Sequence, residues 1–200
     1  AVDMPLPMLG DTNGKMYVLQ VDKAAVLSGS QPPEPLVLHV NVGDCVNLIL
    51  SNETAGGPVS VHADMLAYDP NESMGIAAGT NPPQTVATGS TRTYTFYAHP
   101  KVGETVALLR DWGNVLENPG LDLYWAIVVG PFGSTYTHPA TGEELSQKSG
   151  WRVDVHPPAQ AIYRDFALFI QDQDDVGELP VRAIGPPVGS QRGHFTGVQQ

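Results

Sequence analysis

LLRDWGNVLENPGLDLYWAIVV, Leu108 to Val129, decides the fold. It closes one β-rich run, ETVALLR (Glu104–Arg110), and opens another, LYWAIVVG (Leu123–Gly130). Between them lies a polar loop containing Gly and Pro. The second run is almost continuously apolar, the pattern of a central strand buried on both faces. Around this pair the chain repeats the same grammar of short strand runs bounded by turn residues.

Upstream, the strand runs are MYVLQV (Met16–Val21), LVLHVN (Leu36–Asn41), CVNLILSN (Cys45–Asn52) and PVSVH (Pro58–His62). Gly43-Asp44 supplies a turn between the second and third. TRTYTFYA (Thr91–Ala98) alternates, with Tyr94, Phe96 and Ala98 on one face and Thr93, Thr95 and Tyr97 on the other. DKAAVL (Asp22–Leu27) predicts a helix of a turn or two. After Pro131 the chain turns polar and turn-rich, and YRDFALFIQDQD (Tyr163–Asp174) reads as one more strand. The Gly- and Pro-rich tail reads as an extended arm or a mobile end. No internal repeat is present. Short strands at this spacing predict an all-β, Greek-key β-sandwich with an extended C-terminal arm.

Composition agrees. The chain has 200 residues, 42% hydrophobic but only 16% charged, with 21 Gly and 18 Pro. That favours many turns and few long surface helices. A net charge of -11 repels phosphate backbones and anionic lipid, so neither nucleic acid nor a membrane surface is an expected partner. No apolar run reaches the roughly 18 residues that a membrane span needs. AVDMPLPMLG at the start lacks the basic and apolar regions of a signal peptide, so the chain is mature, a fragment, or never exported. The single cysteine, Cys45, excludes an intrachain disulfide. Two sequons begin at Asn52 and Asn71; they matter only in a secreted, glycosylated context.

Several blocks, in order, resemble one family. PEPLVLHVNVGDCVNLILSN is similar to the opening strands of a multicopper oxidase cupredoxin domain. PPQTVATGSTRTYTFYAHPKVGE resembles that family's stretch between its two copper-ligand motifs. RDWGNVLENPGLDLYWAIVVGPFGSTYTHPATGEEL resembles the end of such a domain and the linker after it. The resemblance is strongest to the large bacterial multidomain oxidases of the manganese-oxidase and ceruloplasmin-like type, and it covers roughly residues 12 to 175. It implies a cupredoxin-like domain over residues 1–132. Residues 133–200 then form a linker plus one strand that resembles the start of a following cupredoxin domain. It also implies a copper-dependent, oxygen-reducing parent enzyme that is extracellular or periplasmic.

The ligand motifs depart from the family. Its His-x-His pair reads here His62-Ala63-Asp64, which keeps one imidazole. Its His-Cys-His falls on Arg110-Asp111-Trp112, and Asn114 to Leu121 supplies neither the downstream His nor the axial Met. A blue-copper site needs a thiolate, two imidazoles and a weak axial ligand. Cys45 starts a strand run away from the ligand position and is expected to be a buried small hydrophobe. His62 is therefore the one candidate metal ligand, with Asp64 and Asp69 as nearby carboxylates. No catalytic residue is assigned, and no cofactor is expected in this chain, although copper belongs to the parent family.

The other histidines form no local chelating pair. His39 is expected at a surface or interface, and His99, His138 and His156 in turns beside prolines. His194 falls in the tail. Asp172, Asp174, Asp175 and Glu178 lack EF-hand spacing and read as a solvated acidic turn. Three readings follow. The first is a copper-free structural or interaction module of a multicopper-oxidase-type protein. The second is a subunit that lends His62 to a copper site completed at an interface. The third is a self-assembling protein whose residues 160–200 add a strand to copies of itself or to other cupredoxin domains.

Overall fold

The computed structural model describes residues 1–5, 12–77, 79–115, 118, 123–145 and 148–170. Among them the chain is built of strands with one short helix. In order they are β1 (Val2–Asp3), β2 (Lys15–Met16), α1 (Lys23–Leu27), β3 (Val37–Asn41), β4 (Cys45–Ser51), β5 (His62–Ala63), β6 (Thr91–Tyr97), β7 (Thr105–Arg110), β8 (Tyr124–Gly130), β9 (Thr135–Thr137), β10 (Arg152–His156) and β11 (Tyr163–Phe166). The all-β expectation holds, and so does the short helix.

The first layer is the four-stranded sheet β3-β8-β7-β5. β3 and β8 run parallel, from Val37 opposite Ala126 to Asn41 opposite Gly130. β7 is antiparallel to β8, and β5 is antiparallel to β7 with His62 opposite Arg110. The second layer is the antiparallel pair β4-β6, from Cys45 opposite Tyr97 to Ser51 opposite Thr91. From β3 to β7 the chain alternates between the layers. The small β1-β2 ribbon sits at the rim, where Val2 bridges to Glu53.

Alternation places the core. In β6, Tyr94 and Phe96 are buried with their rings stacked 6.3 Å apart, while Thr91, Thr93 and Thr95 are exposed. From the facing layer Leu109, Trp125, Ile127 and Val129 fill the same core. Burying each such side chain contributes about 1.5–3 kcal/mol. β8, flanked on both sides by strands, is the central strand that its apolar run predicts.

Three local readings are corrected. Cys45 is exposed, because the period of two in β4 puts it on the outer face with Asn47 and Ile49. MYVLQV forms a strand only at Met16, since β2 has the two-residue β1 as its partner. Pro58–His62 meets the sheet as a strand only from His62, with Val59 bridged singly to Val86. The Asn52 sequon is internal: its buried amide donates to the carbonyls of Gly57 (3.0 Å) and Val86 (2.8 Å).

The outer face of β3 carries Val37, His39 and Asn41. It is covered by the three-stranded sheet β11-β10-β9, which has its own small cluster of Tyr136, Val153 and Val155. Tyr136, in a stretch expected to be turns, places its hydroxyl 2.9 Å from both the Val40 carbonyl and Asn41 Oδ1. That approach needs Gly130, where a Cβ would lie 2.5 Å from the Tyr136 hydroxyl. Tyr163–Asp174, read as one strand, is paired over β11 and described to residue 170; the rest of that run and the expected arm lie outside the described residues.

Gly130→Ala is expected to lower stability by about 1–3 kcal/mol through this clash. Combined with Tyr136→Phe, which removes the clashing oxygen, its cost should shrink below the sum of the single changes. Urea unfolding of the four proteins of the cycle measures this.

Candidate functional site

The ends of β5 and β7 and the loop after β7 bring together His62, Asp64, Arg110, Asp111 and Trp112. These are the positions on which the sequence resemblance places metal ligands. His62 lies on the short β5 strand, and its Nδ1 donates to the Met74 carbonyl at 2.7 Å. That carbonyl is held close because Gly75, at φ 74°, lies against the Val61 backbone where any Cβ would overlap the carbonyl oxygen. The imidazole packs between the edge of Tyr68, at 5.8 Å between centroids, and Trp112, at 5.3 Å.

The other ring nitrogen, Nε2, is 3.8 Å from Asp64 Oδ1. Asp64 is in turn paired with Arg110, whose guanidinium donates to Oδ2 at 2.9 Å. A guanidinium beside the carboxylate offers no electron pair and repels a cation. Asp69 does not join the group, because its Oδ1 accepts from the Asn71 backbone N–H at 2.8 Å.

Asp111 is the most constrained side chain of the set. It is buried, and its carboxylate accepts four hydrogen bonds: from the N–H of Ser60 (2.5 Å), Gly113 (3.0 Å) and Asn114 (3.0 Å), and from the Asn118 side-chain amide (2.9 Å). Burial pushes its carboxyl above the ordinary carboxylate range, while the donated hydrogen bonds pull it back. With both oxygens accepting, the arrangement suits the ionised form. A second layer of contacts steadies it. The buried Lys15 ammonium donates to Asn118 Oδ1 at 2.7 Å, and the Trp112 N–H donates to Ser60 Oγ at 2.9 Å. Gly113 fits because a Cβ there would lie 2.7 Å from the Pro58 carbonyl oxygen.

This donor set does not fit a blue-copper centre. His62 offers one ring nitrogen, Asp111 is saturated by protein donors, and neither Arg110 nor Trp112 can ligate. Cys45 lies on the outer face of β4, away from this loop. Among the described residues no three or more of His, Cys, Asp or Glu cluster in a way that could hold a metal ion.

The remaining histidines separate. His99 and His138 serve in turns, accepting from the N–H of Lys101 (3.0 Å) and Ala140 (3.2 Å). His156 lies within β10 instead of a turn, with Nε2 2.8 Å from Thr137 Oγ1. His39 is buried at the interface between β3 and the three-stranded sheet. His194 and the acidic cluster from Asp172 to Glu178 lie outside the described residues. Sequence reasoning took Asp111 as a lost ligand and missed that it organises the loop. The available signal was an Asp followed by Trp-Gly-Asn at a strand end, a pattern in which Asp bonds backbone N–H groups two and three residues ahead.

No family model and no curated protein matches the chain. Among solved structures, it is similar to a copper nitrite reductase from Nitrosomonas europaea, at 20% identity and a TM-score of 0.39 over 48% of this chain and 30% of that one. A multicopper oxidase is similar at 21% identity and a TM-score of 0.40, covering 48% and 31% of the two chains. Lac15 from a marine microbial metagenome is similar at 21% identity and a TM-score of 0.39, covering 48% and 23%. The matched part is thus under a third of each of those chains. No helix among the described residues is long and apolar enough to cross a membrane.

Asp111→Ala would leave four donors without their acceptor and is expected to cost about 3 kcal/mol or more. His62→Ala, which loses one exchangeable carbonyl contact, should cost about 1 kcal/mol. Chemical denaturation ranks the two; equal costs would mean that something other than Asp111 holds the loop.

Proposed function

We propose that the chain acts as a copper-free, cupredoxin-like structural and interaction module of a multicopper-oxidase-type protein. The observation that carries this reading is the carboxylate of Asp111. It stands at the position that the sequence resemblance gives to the copper thiolate, and protein donors satisfy it completely. Where a metal would tie the approach to β5 to the loop after β7, four hydrogen bonds to one buried anion do so. Arg110, salt-bridged to Asp64, supports the same conclusion, because its charge disfavours a bound cation.

A module needs surfaces for its neighbours, and residues 162–170 favour one. Among the described residues β11 pairs with β10 alone, so its other edge has no described strand partner. Phe166, Leu168 and Ile170 alternate outward and are exposed, while Phe169 packs on Tyr124 at 5.5 Å. An apolar strip along an open edge suits strand addition by another cupredoxin-like domain or by a copy of this chain. On this reading the module works in the extracellular or periplasmic space, as the family resemblance implies, and any oxidation belongs to the copper domains of its partners.

Incubation with copper, followed by elemental analysis and a visible spectrum, tests the copper-free reading. The expected result is less than stoichiometric copper, no intense thiolate-to-copper band, and no change in uptake for His62→Ala. One tightly held copper per chain that is lost in His62→Ala would overturn it, in favour of a copper site shared with another chain.

A further inference from the structure

His39 differs from every other histidine described. It lies in β3 on the face turned away from the sandwich core, 2% exposed, with its ring 5.0 Å from that of Tyr136 in β9. Nε2 is 2.9 Å from the Gly150 carbonyl. A carbonyl can only accept, so Nε2 carries the proton and Nδ1 is left as a bare acceptor. Nδ1 is enclosed and has no hydrogen-bond partner among the described residues. The neutral ring tolerates this at modest cost. The protonated ring does not, because an N–H bearing half of a positive charge would then be buried without an acceptor.

The contacts around His39 are among those that attach the three-stranded sheet to the sandwich, beside the Asn41 amide on the Ser134 carbonyl (3.1 Å) and Phe169 on Tyr124. The His39 N–H donates to the Lys148 carbonyl at 2.7 Å, and the Gly150 N–H donates to the Val37 carbonyl at 3.0 Å. With the Tyr136 hydroxyl, these form a seam of a few directional contacts. The apolar cluster of Tyr136, Val153 and Val155 is separate from the cluster between the two layers. The sheet can therefore leave β3 without opening the sandwich core.

We propose that His39 is an acid-sensitive latch: protonation of its imidazole releases the β9-β10-β11 sheet from the outer face of β3 while the β-sandwich stays folded. The groups facing the ring bear on this. From β11, Asp165 favours the proton; from β9, Tyr136 stacks on the ring. Lys148 lies over the Tyr136 ring at 5.9 Å, disfavours a further positive charge, and is itself 3.6 Å from Asp44. Tyr163 lies beside Tyr136. Asp154 and Arg164 pair with each other on the opposite face of β10. Burial outweighs the Gly150 and Asp165 contributions and holds the imidazole below its ordinary value. A depressed folded value means that the contribution to docking is complete above the ordinary histidine value, near 6.5, and is lost as pH falls through the folded value. Release takes up one proton, so docking should weaken about tenfold per pH unit in that window.

Amide hydrogen exchange, corrected for the intrinsic pH dependence, reads the seam directly. At pH 7.5 the amides of His39 and Gly150 should be protected. Near pH 5 their protection should be reduced severalfold, while amides of β7 and β8 keep theirs. His39→Gln, which can donate to Gly150 but takes no proton, should hold the same protection at both values. Should that variant fail to dock, the wild-type His39 ring resonances decide: their titration midpoint should coincide with the loss of seam protection. The latch is overturned if wild-type protection is unchanged by acid, if His39→Gln keeps the acid response, or if the ring titrates without any change at the seam.

Discussion

A buried carboxylate imposes order on whatever surrounds it, because its charge is costly away from water unless its lone pairs are filled. Asp111 meets that demand with donors from three places: the backbone entering β5, the backbone of its own loop, and a side chain later in that loop. Lys15 extends the set to the β1-β2 ribbon by way of Asn118. One end of the sandwich is therefore held by a polar knot with a single anion at its centre. The turn through Gly113 and Asn114 closes on that anion, and Trp112, between Asp111 and Gly113, is held to Ser60 with its ring against His62.

The two faces of the first layer are stabilised differently. Its inner face buries Trp125, Ile127, Val129 and Leu109 against Tyr94 and Phe96, and such burial scales with area and tolerates small shifts. Its outer face is joined to the three-stranded sheet largely through directional contacts: a phenol lying over a glycine, the Asn41 amide on the Ser134 carbonyl, two backbone hydrogen bonds and one imidazole. Contacts of this directional kind fail one at a time, and each failure leaves a polar group behind. The sandwich and the sheet that covers it thus respond to different conditions, although one chain forms both.

Much of this was legible from the residues. The alternation of Tyr94, Phe96 and Ala98, the apolar run at Leu123–Gly130 and the helix near Ala24 depend on local periodicity, and local periodicity survives folding. Cys45 misled because strand phase depends on which neighbour sets the face, and its chemistry gives no clue to that. Tyr136 was hidden in a polar, turn-rich stretch, where a three-residue strand is too short to show a period. The departure of His62-Ala63-Asp64 and Arg110-Asp111-Trp112 from the ligand motifs of the family they resemble could be read position by position. That Asp111 gathers four donors could be read only in part, because the Ser60 N–H and the Asn118 amide reach it through the tertiary fold. His39 was legible only as a surface or interface residue, and its burial and unpartnered nitrogen are facts of packing alone.

The edges of the sheets show why the apolar strip beyond β10 counts as a surface and not as residue left over from folding. The outer face of β4-β6 presents Asn47, Ser51, Thr91, Thr93 and Thr95, polar side chains that blunt association, with Ile49 alone among them strongly apolar. The free side of β3 is closed by the bridge from Leu38 to Ser149. Among the described residues β11 has neither protection: Arg164 is tied to Asp154 on the face of the sheet, and Phe166, Leu168 and Ile170 follow it outward. Among the described residues, then, two borders are shielded and the third is apolar, the asymmetry that the proposed interaction module would use. The sheet that carries this border is the same one that His39 contacts at β3, so the proposed latch would also decide how that border is presented.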